Sequence, residues 1–430
     1  MKKTIFTAIM LFSIVVFAQA PSIKYSSVQS SYTVGVPMTI TSITSGAVSK
    51  TAVTTLAGNI NPNPYKTGAT ATFIYPIGIA STADGTVYEV DTFRPVVSKI
   101  SPTGYTAEFV GNADTTTTNG IVTYTGRGYA DGTGNQVRIN SPFGLATDAL
   151  GNVYVADTYN QRIRKITPNG IATTIAGNGV IGFLDGTGTA AQFNYPSALC
   201  VDSNGNIYVT DSGSSRIRKI TTSGAVTTVA GLFGGNADGN GMSARFKKPM
   251  GIAVDTSGNL YVSDTGNGSI RKIDTSGNVT TYVSASSFNG TPKGITYNNG
   301  SLYVSDNLNS VIKLVTGPNS VVNYAGVSGS SYFKNGDGNK AWFYAPEGIA
   351  SDAVGNLYVA DYNVNQIRKV SVTTKAFTIT PALPKGLSLD SNSGVISGSP
   401  AQASPLTNYT VTASNYSGST TAIVSFQVTL

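Results

Sequence analysis

The sequence predicts an all-β protein built around a six-bladed β-propeller with four antiparallel strands to a blade. Three observations predict it. A phrase of the form Gly-x-x-Tyr-x-x-Asp occurs six times, with pairs at Tyr88/Asp91, Tyr154/Asp157, Tyr208/Asp211, Tyr261/Asp264, Tyr303/Asp306 and Tyr358/Asp361. Successive tyrosines lie 66, 54, 53, 42 and 55 residues apart, within or a little above the period of propeller blades. The intervening runs are short, β-branched and bounded by Gly, Asn and Asp, which gives strand length without a helical period.

In chain order, residues 1–20 come first and read as a secretory signal peptide. Lys2 and Lys3 precede an apolar run from Ile5 to Phe17, and Ala18-Gln19-Ala20 supplies the cleavage site. The run is short for a membrane span, and no cysteine follows the cleavage site to carry a lipid. The expected location is therefore exported: secreted, periplasmic or at the cell surface. Cys200, the single cysteine of 430 residues, has no internal partner and sits in an apolar strand, Ala198 to Asp202, as a small buried residue. Removing Lys2 and Lys3 takes the formal charge from +7 to +5 (7 − 2), a modest excess that favours acidic surfaces such as polyanionic glycans. Export argues against nucleic acid as partner.

The second blade shows the pattern most fully. Pro142 to Asp148 gives an inner strand, and Asp148 to Asn152 a hairpin turn in which Gly151 supplies the positive φ. Val153–Asp157, Arg162–Ile166 and Ile171–Gly177 are the next three strands. A lysine recurs at the matching place of each third strand: Lys99, Lys165, Lys219, Lys272, Lys313 and Lys369. Longer connectors join most blades, as in Asp185-Gly186-Thr187-Gly188 leading to Phe193 and Pro196; the fifth blade lacks one, hence its 42-residue spacing. They read as Gly-rich loops with a buried aromatic anchor, and no helix start follows them to hold a phosphate.

The phrases Asn-x-x-Ile-Arg-Lys-Ile, Gly-Asn-Val-Tyr-Val-Ala-Asp and Asp-Gly-x-Gly…Phe…Pro resemble the bacterial NHL-repeat family over about Thr51 to Thr374. The resemblance implies a propeller at 51–374 and no single activity, since members include lyases, RNA binders and adhesion modules. The sixth blade lacks a fourth strand of Val-Thr-Thr-x-Ala-Gly type after Ile367–Val370. That phrase stands at Ala52–Gly58 instead, so this N-terminal strand is expected to close the ring and protect its edges. The flanks, 21–50 and 375–430, resemble two parts of one bacterial Ig-like domain. Pro21-Ser22-Ile23-Lys24-Tyr25 through Tyr32-Thr33-Val34-Gly35 opens it, and Leu383-Pro384-Lys385-Gly386-Leu387 onward completes it. The propeller is then an insertion in a sandwich, which is easy where the guest's ends meet.

Chemistry is sparse. The chain has no histidine, which removes the commonest general base and metal ligand, and only three glutamates, Glu89, Glu108 and Glu347. The residues after the blade-opening prolines define an expected mouth: Ile77, Phe143, Ser197, Met250, Lys293 and Glu347. Of these, Phe143, Ser197, Met250, Lys293 and Glu347 are the candidate ligand-binding set. No catalytic residue, metal site or cofactor is assigned. Calcium-dependent lactonases are similar in overall shape and use an acid near the axis, which would cast Glu347 as a ligand. Calcium takes six to eight oxygens, however, and Lys293 is a ready ion-pair partner. The six repeated aspartates read as turn caps or cross-strand ion pairs, Asp157 with Arg162 and Asp211 with Arg216. The Arg-Lys phrases read as aliphatic packing or as a basic belt for acidic glycans. The turn Asp202 to Asn206 resembles part of a calcium loop and reads as a tight hairpin. The expected function is an exported, non-enzymatic binding or adhesion protein that engages a protein or glycan through a propeller face and its loops, with the insertion between Thr115 and Gly128 setting specificity. The alternatives are a calcium-dependent lactonase- or lyase-like enzyme acting near Glu347, and a structural module of a surface assembly.

Overall fold

The computed structural model describes residues 22–26, 28–45, 50–60, 66–118, 121–373, 377–391, 393–415 and 418–430. The expected signal segment lies outside them. The fold is all-β. The chain divides into two compact units: Thr51–Thr373, and a unit drawn from both ends, Met1–Lys50 with Thr374–Leu430. Among the described residues no helix is long and apolar enough to cross a membrane.

The larger unit holds six antiparallel sheets of four or five strands, and one two-stranded hairpin, among its described residues. In the second, the strands Gly144–Thr147, Val153–Asp157, Arg162–Ile166 and Ile171–Ala176 lie side by side in chain order, and a two-residue strand, Gly132–Thr133, pairs on the outer edge. The sixth is composite. Pro346–Ser351, Leu357–Asp361 and Gln366–Thr373 are followed in space by Lys50–Gly58 from the start of the unit, with Gly336–Asp337 outermost. The innermost strand of each sheet touches that of the next, and Pro346–Ser351 of the sixth touches Pro76–Ser81 of the first.

Apolar clusters fill the spaces between neighbouring sheets. Val90 and Val97 of the first meet Val153 and Val155 of the second, all fully buried. Each such side chain contributes about 1.5–3 kcal/mol by leaving water. At the junction of sixth and first sheets Ile367, Tyr358 and Ala57 meet Phe73 and Val87.

In the smaller unit the four strands Ser31–Thr33, Gly418–Thr429, Ser404–Asn415 and Phe377–Thr380 form one sheet in that order, with Ser31–Thr33 running parallel to its neighbour. Met38–Ile40, Ile396–Gly398 and Leu387–Leu389 form a second. Residues from both ends of the chain share one core: Ile23, Met38 and Ile40 cluster with Phe377, Tyr409, Val424 and Phe426.

Candidate functional site

The six inner strands bring Ile77, Phe143, Ser197, Met250, Lys293 and Glu347 together around one cavity of about 90 Å³. A small residue follows each: Gly78, Gly144, Ala198, Gly251, Gly294 and Gly348. Close approach explains the glycines. A Cβ on Gly78 would stand 2.3 Å from the Phe143 carbonyl oxygen, on Gly144 2.3 Å from that of Ser197, and on Gly251 2.2 Å from that of Lys293. Next come Ile79, Leu145, Leu199, Ile252, Ile295 and Ile349, only 4–6% exposed. These six also line a second cavity of about 170 Å³ toward the other ends of the strands, where Cys200 lies. Branched apolar side chains thus narrow the axis at mid-depth. Both volumes fall below the roughly 300–1,000 Å³ of small-molecule sites.

Polar groups at the mouth satisfy one another. Lys293 Nζ stands 3.2 Å from Glu347 Oε1, and Asn307 donates to the same oxygen at 3.0 Å. Burial pushes the Glu347 carboxyl above the ordinary carboxylate range, against the pull of Lys293. The Ser197 hydroxyl is shared among Thr210, Ser212 and the Pro249 carbonyl. Among the described residues no three metal-binding side chains converge. At the other ends of the strands, burial raises the Cys200 thiol well above its usual range.

The repeated aspartates are fully buried, and those of the second to sixth sheets tie the sheet to the connector before it. Asp157 accepts the Asn140 backbone N–H at 2.8 Å and Arg164 Nη1 at 2.9 Å. The same guanidinium donates to the carbonyls of Ala130 and Arg138 and to Asp131. Arg218, Arg271 and Arg368 repeat this with Asp211, Asp264 and Asp361, their guanidinium carbons 5.2–5.3 Å from the centres of Phe193, Phe246 and Phe343. The aromatic anchors of the connectors are therefore fully buried beneath arginines.

Three expectations change. The ion-pair partners are Arg164 and Arg218, not Arg162 and Arg216. Residues two apart share a strand face. The deeper arginine reaches Asp157, while Arg162 donates to the Asn160 and Asn178 carbonyls and lies 3.8 Å over the Tyr129 ring. The arginines of the Arg-Lys phrases are 0–1% exposed, so they form no belt on the surface. Finally, Lys313 does not match the other lysines. It lies opposite Val304, as Arg164 lies opposite Val155, and takes the arginine's place by pairing with Asp306 at 2.8 Å over Phe288. A four-residue helix, Ala285–Phe288, supplies that ring where the fifth unit lacks a long connector.

The tyrosines of the repeat have a separate task. Lys165, Lys219, Lys272 and Lys369 lie 5.6–5.9 Å over Tyr154, Tyr208, Tyr261 and Tyr358. Each of those phenols donates to the hairpin aspartate, as Tyr154 does to Asp148 at 3.0 Å. In the turn at Asp202 one carboxylate oxygen accepts the Asn204 and Asn206 backbone N–H groups, and the other accepts the Asn206 amide and Tyr208 hydroxyl. It is a hairpin whose carboxylate is fully engaged. Sequence reasoning missed the aromatic surround of the mouth. Tyr75 lies tilted against Phe93 and Tyr362, at ring separations of 5.8 and 4.9 Å, and Tyr159 meets Tyr195 edge-on at 5.5 Å.

Family models match both kinds of segment. The family model described as NHL repeat matches residues 140–166, 193–220 and 246–273. The model described as Putative Ig domain matches 343–429; its first thirty or so residues belong by strand pairing to the sixth sheet. The chain is similar to NHL repeat-containing protein 2 of Homo sapiens, 32% identical over 110 residues, 25% of this chain and 15% of that protein. It is also similar to Teneurin-3 of Mus musculus, 26% identical over 227 residues, 47% of this chain and 8% of that protein. It thus spans a small part of these relatives. Among solved structures, a streptogramin B lyase is similar at 17% identity and a TM-score of 0.49, covering 75% of this chain and 98% of that one. A gluconolactonase of Xanthomonas campestris is similar at 14% identity and 0.49, covering 75% and 90%. The chain thus carries NHL repeats, matched in three segments, and a segment that matches the putative Ig domain model.

Proposed function

We propose that this chain is an exported, non-enzymatic binding protein, a six-bladed propeller inserted in an Ig-like sandwich, that engages a protein or glycan through the face around its mouth. The carrying observation is the mouth itself: about 90 Å³, narrowed by an apolar ring, with its carboxylate already held by Lys293 and Asn307. That geometry offers little room to enclose a reacting molecule, whereas the rim around it is broad and preformed. A hairpin, Thr115–Thr118 with Ile121–Tyr124, stands in the connector after the first sheet, and nearby Arg127 donates to the Phe93 carbonyl beside the aromatic cluster. It is the loop expected to set specificity.

The test is direct. The purified chain is offered to immobilised cell-surface proteins and to a glycan panel, and separately assayed for lactone turnover with calcium. Binding that weakens when 115–124 is replaced by Gly-Ser, with no turnover, is the expected result. Turnover that disappears in Glu347→Gln would sink the proposal in favour of an enzyme.

A further inference from the structure

One position repeats around the mouth with an unusual backbone. The residue just before the inner-strand proline is Tyr75, Ser141, Tyr195, Lys248 or Ala345 in five of the units, and each has a positive φ of 44–57°. L residues other than Asn, Asp and Gly seldom adopt that region, and a bulky ring there is a true outlier. The consequence is directional: the conformation is common to the five positions, so Tyr75, Tyr195 and Lys248 occupy equivalent places around one opening. Tyr75 and Tyr195 are each 39% exposed, with Phe93 at 45% and Tyr159 at 54% beside them.

Charge around this ring is one-sided. The repeated aspartates of all six units are buried. Glu347 is engaged by Lys293, which leaves Lys247 and Lys248 as exposed charges next to the mouth residue Met250. Exposed tyrosines held tilted or edge-on against neighbouring rings give rigid contact area with a polar tip at low entropic cost. Adjacent lysines supply charge without a fixed geometry.

We propose that this ring is a binding site for an anionic polysaccharide. Sugar rings lie on Tyr75/Phe93 and on Tyr159/Tyr195, and carboxylate or sulfate groups pair with Lys247 and Lys248. The inference rests on the binding reading above and names its ligand class. Size favours a chain over a single sugar, since the cavity is too small to enclose one and the two aromatic clusters belong to different units, the first and sixth sheets on one side and the second and third on the other.

Binding of the intact chain to immobilised heparin dodecasaccharide, polygalacturonate and neutral dextran distinguishes sulfate, carboxylate and uncharged arms. The double variant Tyr75→Asn/Tyr195→Asn removes the rings while keeping a residue that tolerates positive φ. Its affinity for the bound polyanion is expected to fall at least about tenfold, as for aromatic anchors elsewhere. Lys247→Ser/Lys248→Ser should lower affinity several-fold and flatten its dependence on salt, because exposed charges are screened. Circular dichroism and melting unchanged from the parent chain establish that both variants fold; Tyr195→Gly serves if the double variant does not. Equal binding of dextran, or affinity for the polyanions unaltered in both variants, overturns the proposal. Capture of a cell-surface protein through the mouth face, with no saccharide bound, overturns it too but leaves the binding function standing. Absence of both kinds of binding removes both.

Discussion

Arg164, Arg218, Arg271 and Arg368 are each a point where several backbone segments depend on one side chain. Arg164 holds Asp157, Asp131 and two connector carbonyls, and its side chain is 1% exposed. Removing the cation leaves Asp157 buried without it, at a typical cost of about 3–5 kcal/mol. Arg162 lies on the same strand face and makes two carbonyl contacts and a ring contact nearer the surface. Its loss should cost about 1 kcal/mol or less. Urea unfolding of Arg164→Met and Arg162→Met should show that gap; equal losses would contradict the assignment of partners. Glu89 poses the opposite case. It is fully buried where the other five units place Val155, Val209, Val262, Val304 and Val359. Burial first, and then the charge of Asp91, push its carboxyl well above the ordinary range, while Arg94 pulls it down. The folded state then holds this proton more tightly than the unfolded state, whose glutamate titrates near 4.3. Stability contributed by the proton is present below about 4.3 and is lost as pH rises toward the raised folded value. Glu89→Val removes that loss. The variant should gain on the parent chain as pH goes from about 5 to about 8. A difference in urea midpoint that stays constant between those pH values would refute it.

At the scale of the strand, the inner segment Pro-x-Gly-Ile joins two demands, a side chain at the mouth and none at the next position. Gly144 has ordinary negative-φ backbone, so its need is space alone: an added Cβ would meet the Ser197 carbonyl at 2.3 Å and Ala198 Cα at 2.7 Å. Gly144→Ala should therefore force neighbouring inner strands apart and cost about 1–3 kcal/mol, as overpacking does. Thermal melting measures it, and a change under about 0.3 kcal/mol would show that the strands can shift to admit a methyl group. These elements were largely legible beforehand. Runs such as Val153–Asp157 alternate or bury fully over five residues and end in Asn, Gly or Asp, so strand and turn follow from local chemistry. The mouth residues were legible too, because the proline fixes their phase. The arginine partners were not. Arg162 and Arg164 have the same type and face, and only the path of a connector about thirty residues upstream decides which becomes buried. Lys313 misled for a simpler reason: its strand carries the basic residue one position earlier than the spacing from Tyr303 suggests. The rim tyrosines could have been noticed as the residue before each opening proline, but their left-handed backbone depends on tertiary contacts such as Tyr75 N–H to Asn365 and Tyr195 N–H to Gln161.

For the larger unit as a whole, the decisive element is the strand Lys50–Gly58, which lies between Gln366–Thr373 and Gly336–Asp337 in the sixth sheet. Its pairing joins the beginning of the unit to its end. Without it, Gln366–Thr373 would become an edge with unpaired backbone N–H and C=O groups, a template for association with other chains. Val53 is fully buried in the cluster with Ile312, Phe343 and Val370, and Ala57 lies in the cluster with Phe73, Ile367 and Tyr358. One strand therefore serves both faces of the last sheet, toward the fifth and toward the first. Val53→Asp would place a carboxyl in the first of these clusters, where no described residue of the cluster can pair with it. Such a charge costs several kcal/mol or remains protonated. The expected result is loss of at least about 3 kcal/mol, a large share of the 5–15 kcal/mol typical of a domain, with concentration-dependent association from the freed edge. Thr54→Asp is the control, because position 54 is exposed on the same strand and should change stability by less than about 0.5 kcal/mol. Urea unfolding and light scattering of the two variants separate the outcomes. If Val53→Asp remained monomeric and as stable as Thr54→Asp, the strand would not be what closes the ring, and the sixth sheet would have to hold its place by its three remaining long strands alone.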